Sequence, residues 1–126
     1  MTLLAVSCIT GPVHIPDGLT TAELIQRGQE ASDKNRYPAA LQYYEALIER
    51  YPFDIDNVIA AEYEIAFIHY KQKEYDQAKI ELNTLLARYN VPDEELLPQQ
   101  FKILSNIVLS KIEDVEAARK RRNKGG

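Results

Sequence analysis

Tryptophan is absent from the 126 residues, and cysteine and methionine occur once each. The single thiol, Cys8, cannot close an internal disulfide or build a cysteine-based zinc site, so a disulfide-stapled scaffold is excluded. The two histidines, His14 and His69, are far apart in sequence. His69 falls at helical spacing from Ile65 and Ile68 and is expected as a packed or half-exposed helix residue, with no metal. No apolar run reaches the 18 residues of a membrane-spanning helix. A Gly-rich phosphate loop, a Gly-x-Ser-x-Gly elbow and a His-Glu-x-x-His pair are all missing. Asp93-Glu94-Glu95 has neither the alternating oxygen ligands nor the glycine of a calcium loop, and acidic residues near a helix start are accounted for by its dipole. No catalytic residue and no cofactor are therefore expected.

What is present is ordinary globular material, 45% hydrophobic and 27% charged, in a length that buries about two-thirds of its unfolded surface. Charge is unevenly placed. Five of the 15 basic residues lie in 119–126, leaving ten basic against 19 acidic residues in 1–118. An acidic body repels phosphate backbones, so no nucleic-acid partner is expected. The terminal Arg-Lys-Arg-Arg could meet nucleic acid or anionic lipid, but stabilisation of a last helical turn also accounts for it.

Gly11, Pro12, Pro16 and Gly18 break up residues 1–19, which read as a tether. The helical domain spans 20–118, and 119–126 is a basic tail. Thr20 and Glu23 form a capping box, with Leu19 placed to staple onto Leu24, so a first helix should run to about Lys34. Pro38 opens a second helix that Pro52 stops after Tyr51. Asp56 and Asn57 offer caps for a third, to about Gln72. Tyr75-Asp76 opens a fourth that ends near Tyr89, and Pro98 opens a fifth that ends in the tail.

Sliding the sequence by 38 positions sets Tyr37 on Tyr75, Ala40 on Ala78, Leu47 on Leu85, Arg50 on Arg88 and Tyr51 on Tyr89. Tyr44 falls on Leu82, Ile48 on Leu86, and Gly28 on Ala66 as the small residue of the preceding helix. The shared stripe has helical period, and the alanines admit a close neighbour. Two helical hairpins repeat, and a stack of such pairs shares one core.

Ala40, Tyr44 and Pro52, with Tyr37 in the loop, resemble the signature of the tetratricopeptide repeat. The second copy keeps Tyr75, Ala78 and Leu82 but has Asn90 where the proline would stand. The family's Trp and Leu-Gly are missing from both first helices. The period of 38 exceeds the usual length of about 34, which places four extra residues in the connection from Tyr51 to Ala61. That spacing, with Leu47-Ile48-Glu49-Arg50-Tyr51-Pro52 and Ala61-Glu62-Tyr63-Glu64-Ile65-Ala66, is similar to a subgroup of bacterial envelope proteins. It includes the lipoprotein subunit of the outer-membrane β-barrel assembly machinery. The resemblance implies an all-α, right-handed superhelical array of two hairpins with a C-terminal capping helix. In function it implies a non-catalytic interaction scaffold in a periplasmic, membrane-anchored complex. A cytosolic (cytoplasmic) adaptor or oligomerisation module of the same fold is the alternative.

Leu4-Ala5-Val6-Ser7-Cys8 resembles a bacterial lipobox, in which the cysteine carries the lipid anchor. Only seven residues, without Lys or Arg, precede it, so either the true start lies upstream or Cys8 is an ordinary thiol.

Tyr63, Phe67 and Tyr70 share one face of the third helix. In tetratricopeptide repeats the matching positions line the concave groove. The resemblance carries this to Ala22, Ile25, Gln29, Ser32 and Asp33 in the first unit, and to Ala60, Tyr63, Phe67, Tyr70 and Lys71 in the second. Aromatic anchors with a polar rim suit a bound protein or peptide. The other reading has the fifth helix folding over Tyr63 and Phe67 and making them core. Ile25 and Gln29 stand where the carboxylate-clamping members carry Lys and Asn, so acidic chain termini are disfavoured as ligands. Leu97, Phe101, Leu104, Val108, Ile112 and Val115 form the expected buried stripe of the fifth helix. Ile103 and Ile107 widen it toward a second partner, either another protein or another copy in a homo-oligomer.

Overall fold

The computed structural model describes residues 12–125, and the lipobox-like segment with Cys8 lies outside them. The chain folds into α1 (Thr21–Asp33), α2 (Tyr37–Arg50), α3 (Ile55–Lys71), α4 (Tyr75–Ala87) and α5 (Gln99–Lys124), with a 3-10 turn at Glu94–Leu96. Among the described residues there is no strand. Neighbouring helices pack as two adjacent hairpins, α1 with α2 and α3 with α4, and α5 lies against α4 and α3.

Local chemistry explains the helix starts. The Thr20 backbone N–H donates to Glu23 Oε2 at 2.8 Å, and the Glu23 N–H donates to Thr20 Oγ1 at 3.2 Å, which closes the expected capping box. The Thr20 backbone N–H, and then its hydroxyl, both donating to the Glu23 carboxylate, hold that carboxyl below its ordinary range. Leu19, before the cap, is buried. The cap of α3 is Asp54 and neither Asp56 nor Asn57: its carboxylate accepts from the Asn57 N–H at 3.4 Å and the Asn57 side-chain amide at 2.8 Å. A cap three residues before Asn57 starts the helix earlier, so the extra residues lengthen the helix and not the connection. α3 has 17 residues against 13 in α1, while only 51–54 join α2 to α3.

The repeat extends to the backbone of both hairpin turns. Asn35 and Lys73, 38 apart, take left-handed φ values of 57° and 63°. Behind each, the same pair of bonds closes the helix end: Asn35 N–H to Ser32 O and Arg36 N–H to Ala31 O, then Lys73 N–H to Tyr70 O and Glu74 N–H to His69 O.

The core has two parts that meet in α3. Leu24, Ala40, Tyr44 and Leu47 of the first hairpin gather with Val58, Ala61 and Ile68 from one side of α3. Ile59, Tyr63 and Ala66 from the other side gather with Ala78, Leu82 and Leu85 of α4 and with Val108 and Ile112 of α5. Ala40 and Ala78 are both fully buried, as close crossings within the hairpins require.

In α5 the buried line is Ser105, Val108 and Ile112, continued by the half-buried Phe101, and Leu104 does not belong to it. Ser105 is fully buried, whereas Leu104 is 37% exposed, together with Ile103 and Ile107. Counting hydrophobic residues favours Leu104, but apolar residues here surround much of the helix, and a small side chain permits the closer approach.

Residues 13–19 lie along α2. The Val13 N–H donates to Gln42 Oε1 at 2.7 Å, Arg50 donates to Pro16 O at 2.7 Å and Ile15 O at 3.0 Å, and the Tyr51 hydroxyl donates to Leu19 O at 2.5 Å.

Candidate peptide groove

The three first-of-pair helices, α1, α3 and α5, bring their inner faces together, and the aromatic row of α3 runs between them. Tyr63 stacks on Phe67 at 5.8 Å between centroids, Phe67 on Tyr70 at 5.8 Å, and Tyr70 meets Tyr75 of α4 at 5.9 Å. Phe101, near the start of α5, packs on Tyr63 at 5.6 Å. Tyr63 is thereby buried, to 6% exposure, while Phe67 and Tyr70 remain half-buried. Removal from water, and then the nearby Glu64 carboxylate, push the Tyr63 phenol up to about 12.

Lys71 closes the row at the hairpin-turn end. Its Nζ lies 5.0 Å from the Phe67 and Tyr37 ring centroids and donates to Ser32 Oγ at 2.9 Å, tying α3 to α1. Ile25 is half-buried, and Gln29, Ala22 and Asp33 are exposed on α1. At the other end of the row, Ile25, Gln29, Ala60, Glu64, Pro98 and Phe101 line a cleft of about 330 Å³. Two of its key residues, Glu64 and Phe101, are not among the groove residues carried over from the repeat family. Glu64 was legible from spacing, since it lies four residues after Ala60 and three before Phe67. Phe101 was not, because its contact with Tyr63 exists only once α5 docks.

Burial raises the Glu64 carboxyl above its ordinary range; Lys71 lowers it and Asp33 raises it further. The folded chain thus holds the Glu64 proton more tightly than the unfolded chain. Stability from this group is greatest below the ordinary carboxylate range and falls as pH rises through the folded value. Glu64→Gln should raise the melting midpoint at pH 7, and the gain should vanish in scans taken below that range. A gain that persists in acid would mean that the carboxylate charge is not its source.

Elsewhere His69 is packed in the helix face, its Nδ1 2.5 Å from Glu81 Oε1. Among the described residues no group of three or more His, Cys, Asp or Glu is placed to hold a metal ion. No helix among them is long and apolar enough to cross a membrane.

Residues 18–120 match the profile of the YfiO family, described as outer membrane lipoprotein. The chain belongs to this family. The match covers both hairpins and most of α5, and agrees with the envelope subgroup whose phrases the sequence carries. The chain is also similar to an uncharacterised protein of Treponema pallidum (strain Nichols), 34% identical over 98 residues. That stretch is 78% of this chain and 39% of the relative, so the chain spans about two-fifths of the relative's length. No solved structure matches it.

Proposed function

We propose that this chain is a non-catalytic scaffold of a bacterial outer-membrane assembly complex, holding a segment of another protein in the groove between α1, α3 and the start of α5. The observation that carries the reading is the half-buried continuation of the aromatic row, Phe67 and Tyr70, flanked by Lys71, Ile25 and Gln29 and running from the cleft beside Glu64. Stacked rings lose little entropy on contact and offer large area, while the charged rim sets register. Tyr63 supports the groove from beneath. Cys8 is the lipid attachment point in this reading, which keeps the domain in the periplasm at the membrane. The outer face of α5, with Ile103, Leu104 and Ile107 exposed together, is a second surface for a partner or another copy.

The test is copurification of envelope proteins with the tagged chain from its native host. Phe67→Ala and Tyr70→Ala should each weaken capture by about 1–2 kcal/mol, with a smaller effect on folding. Intact mass of the same material should show acyl chains on Cys8. Capture that survives both groove substitutions and is lost with Ile107→Asp would assign the partner to α5 and remove the groove reading.

A further inference from the structure

Surface charge is sorted by the two ends of the bundle. The α1–α2 and α3–α4 turns stand side by side, as the bond from Lys71 to Ser32 and its position over Tyr37 require. α5 reaches the same end, where the Arg119 guanidinium lies 5.4 Å from the centroid of Tyr75, the first residue of α4. Beyond that level α5 continues for five residues to Lys124, about 8 Å at helical rise. Lys34 and Arg36 from the first turn, Lys71 and Lys73 from the second, and the five basic residues of 119–124 therefore meet at one end.

All nine are exposed, and they are nine of the chain's 15 lysines and arginines. The same three segments hold only Asp33, Glu74 and Asp76 as acidic residues. The opposite end, built from the α2–α3 and α4–α5 connections, carries Asp54, Asp56, Asp93, Glu94 and Glu95 against Arg50, Arg88 and Lys102, the last paired with Glu94 at 2.8 Å. Helix dipoles account for part of this, since α1, α3 and α5 all end at the basic side. They do not account for Arg36, which stands at the N-terminus of α2 where a cation is disfavoured, or for five cations on one helix end.

The described N-terminal segment has a matching direction. Traced backward from Leu19 beside Tyr51 to Val13 beside Gln42, it runs along α2 toward the basic end.

We propose that this basic end is a docking surface for an anionic phospholipid bilayer, assembled from both hairpin turns and the end of α5. A negatively charged membrane plane attracts clustered basic residues, and the attraction fades within a Debye length of about 8 Å. Charges gathered at one end of an acidic body suit a plane, because only that end needs to approach it. The orientation leaves the acidic end and the mouth of the cleft beside Glu64 pointing away from the membrane. Lys71 borders both the surface and the groove, and the other eight basic residues stand apart from what the groove holds.

The experiment uses the full chain with Cys8→Ser, so that no acyl chain contributes, and vesicles of phosphatidylethanolamine containing about 30% phosphatidylglycerol. The protein should sediment with these vesicles, be released in about 0.5 M salt, and ignore phosphatidylcholine vesicles. Each charge removed should lower partitioning about fivefold, so Lys34→Gln, Arg36→Gln and Lys73→Gln together should lower it at least about tenfold. Arg121→Gln, Arg122→Gln and Lys124→Gln together should act alike, and Glu95→Gln should not. Lys34→Arg with Lys73→Arg, which keeps charge, should bind as the parent chain does and so separates charge from folding. Three results would each overturn the proposal: equal sedimentation with neutral vesicles, full binding by the turn variant, or tighter capture by duplex DNA than by anionic vesicles at the same salt.

Discussion

Tyr63→Ala is expected to destabilise the fold by about 3–5 kcal/mol, the range for truncating a buried aromatic ring. Tyr63 sits between Phe67 and Phe101, in one cluster with Ile59, Leu82 and Val108, so its removal opens a cavity exactly where α5 meets α3. Tyr70→Ala, whose ring is only half-buried, should cost less. Chemical denaturation of the two variants decides the matter. If Tyr63→Ala unfolds no earlier than Tyr70→Ala, α5 does not cover the row, and the groove is deeper than described.

The second large effect is a change of sign at Gly28. A Cβ on Gly28 would come within 2.7 Å of the Tyr44 ring, closer than side-chain carbons pack, and Tyr44 is fully buried with no room to swing. Overpacking of this kind costs about 1–3 kcal/mol, against a helix-propensity gain of about 1 kcal/mol for alanine over glycine. Gly28→Ala should therefore be neutral to destabilising by about 2 kcal/mol in the native background. In the second hairpin the equivalent positions are Ala66 and Leu82, a larger residue in the first helix against a smaller one in the second. Adding Gly28→Ala to Tyr44→Leu should accordingly stabilise by about 1 kcal/mol, because the ring that opposed the methyl is gone. A double-mutant cycle measured by thermal unfolding reads the coupling, and additive effects would show that Gly28 and Tyr44 do not touch. The Tyr44 hydroxyl makes no hydrogen bond among the described residues, and burial, followed by Glu64 and Asp33, raises its pKa, so losing the hydroxyl removes an unsatisfied group.

Much of this architecture was legible in residue order. The 38-residue offset identified both hairpins and the pairs Ala40 with Ala78 and Leu47 with Leu85, all of which are buried. Thr20 and Glu23 marked the first helix start because a capping box is a contact between residues three apart. The envelope family was legible as a resemblance, from short phrases in and just after α2 and within α3. The groove was less so. Tyr63, Phe67 and Tyr70 shared a face by helical spacing, whereas Ile25, Gln29 and Lys71 came from the resemblance to tetratricopeptide repeats; the fold puts Lys71 over Phe67 and sets Ile25 and Gln29 at the cleft with Phe101.

The family came from resemblance; what the sequence determined through its own spacing is the start of the first helix, the 38-residue repeat and the buried alanines. Periodicity carries that information because a helix fixes which residues share a face. The tertiary structure decided the rest. α5 turned Ser105 and not Leu104 inward and placed Phe101 over Tyr63, and the choice depends on how closely two helices approach. Asp54 capped α3 because that helix begins a turn earlier than its counterpart. Nine basic residues separated by up to 90 positions came to one end only because three helices finish there, and charge clustering follows position in space and not order along the chain.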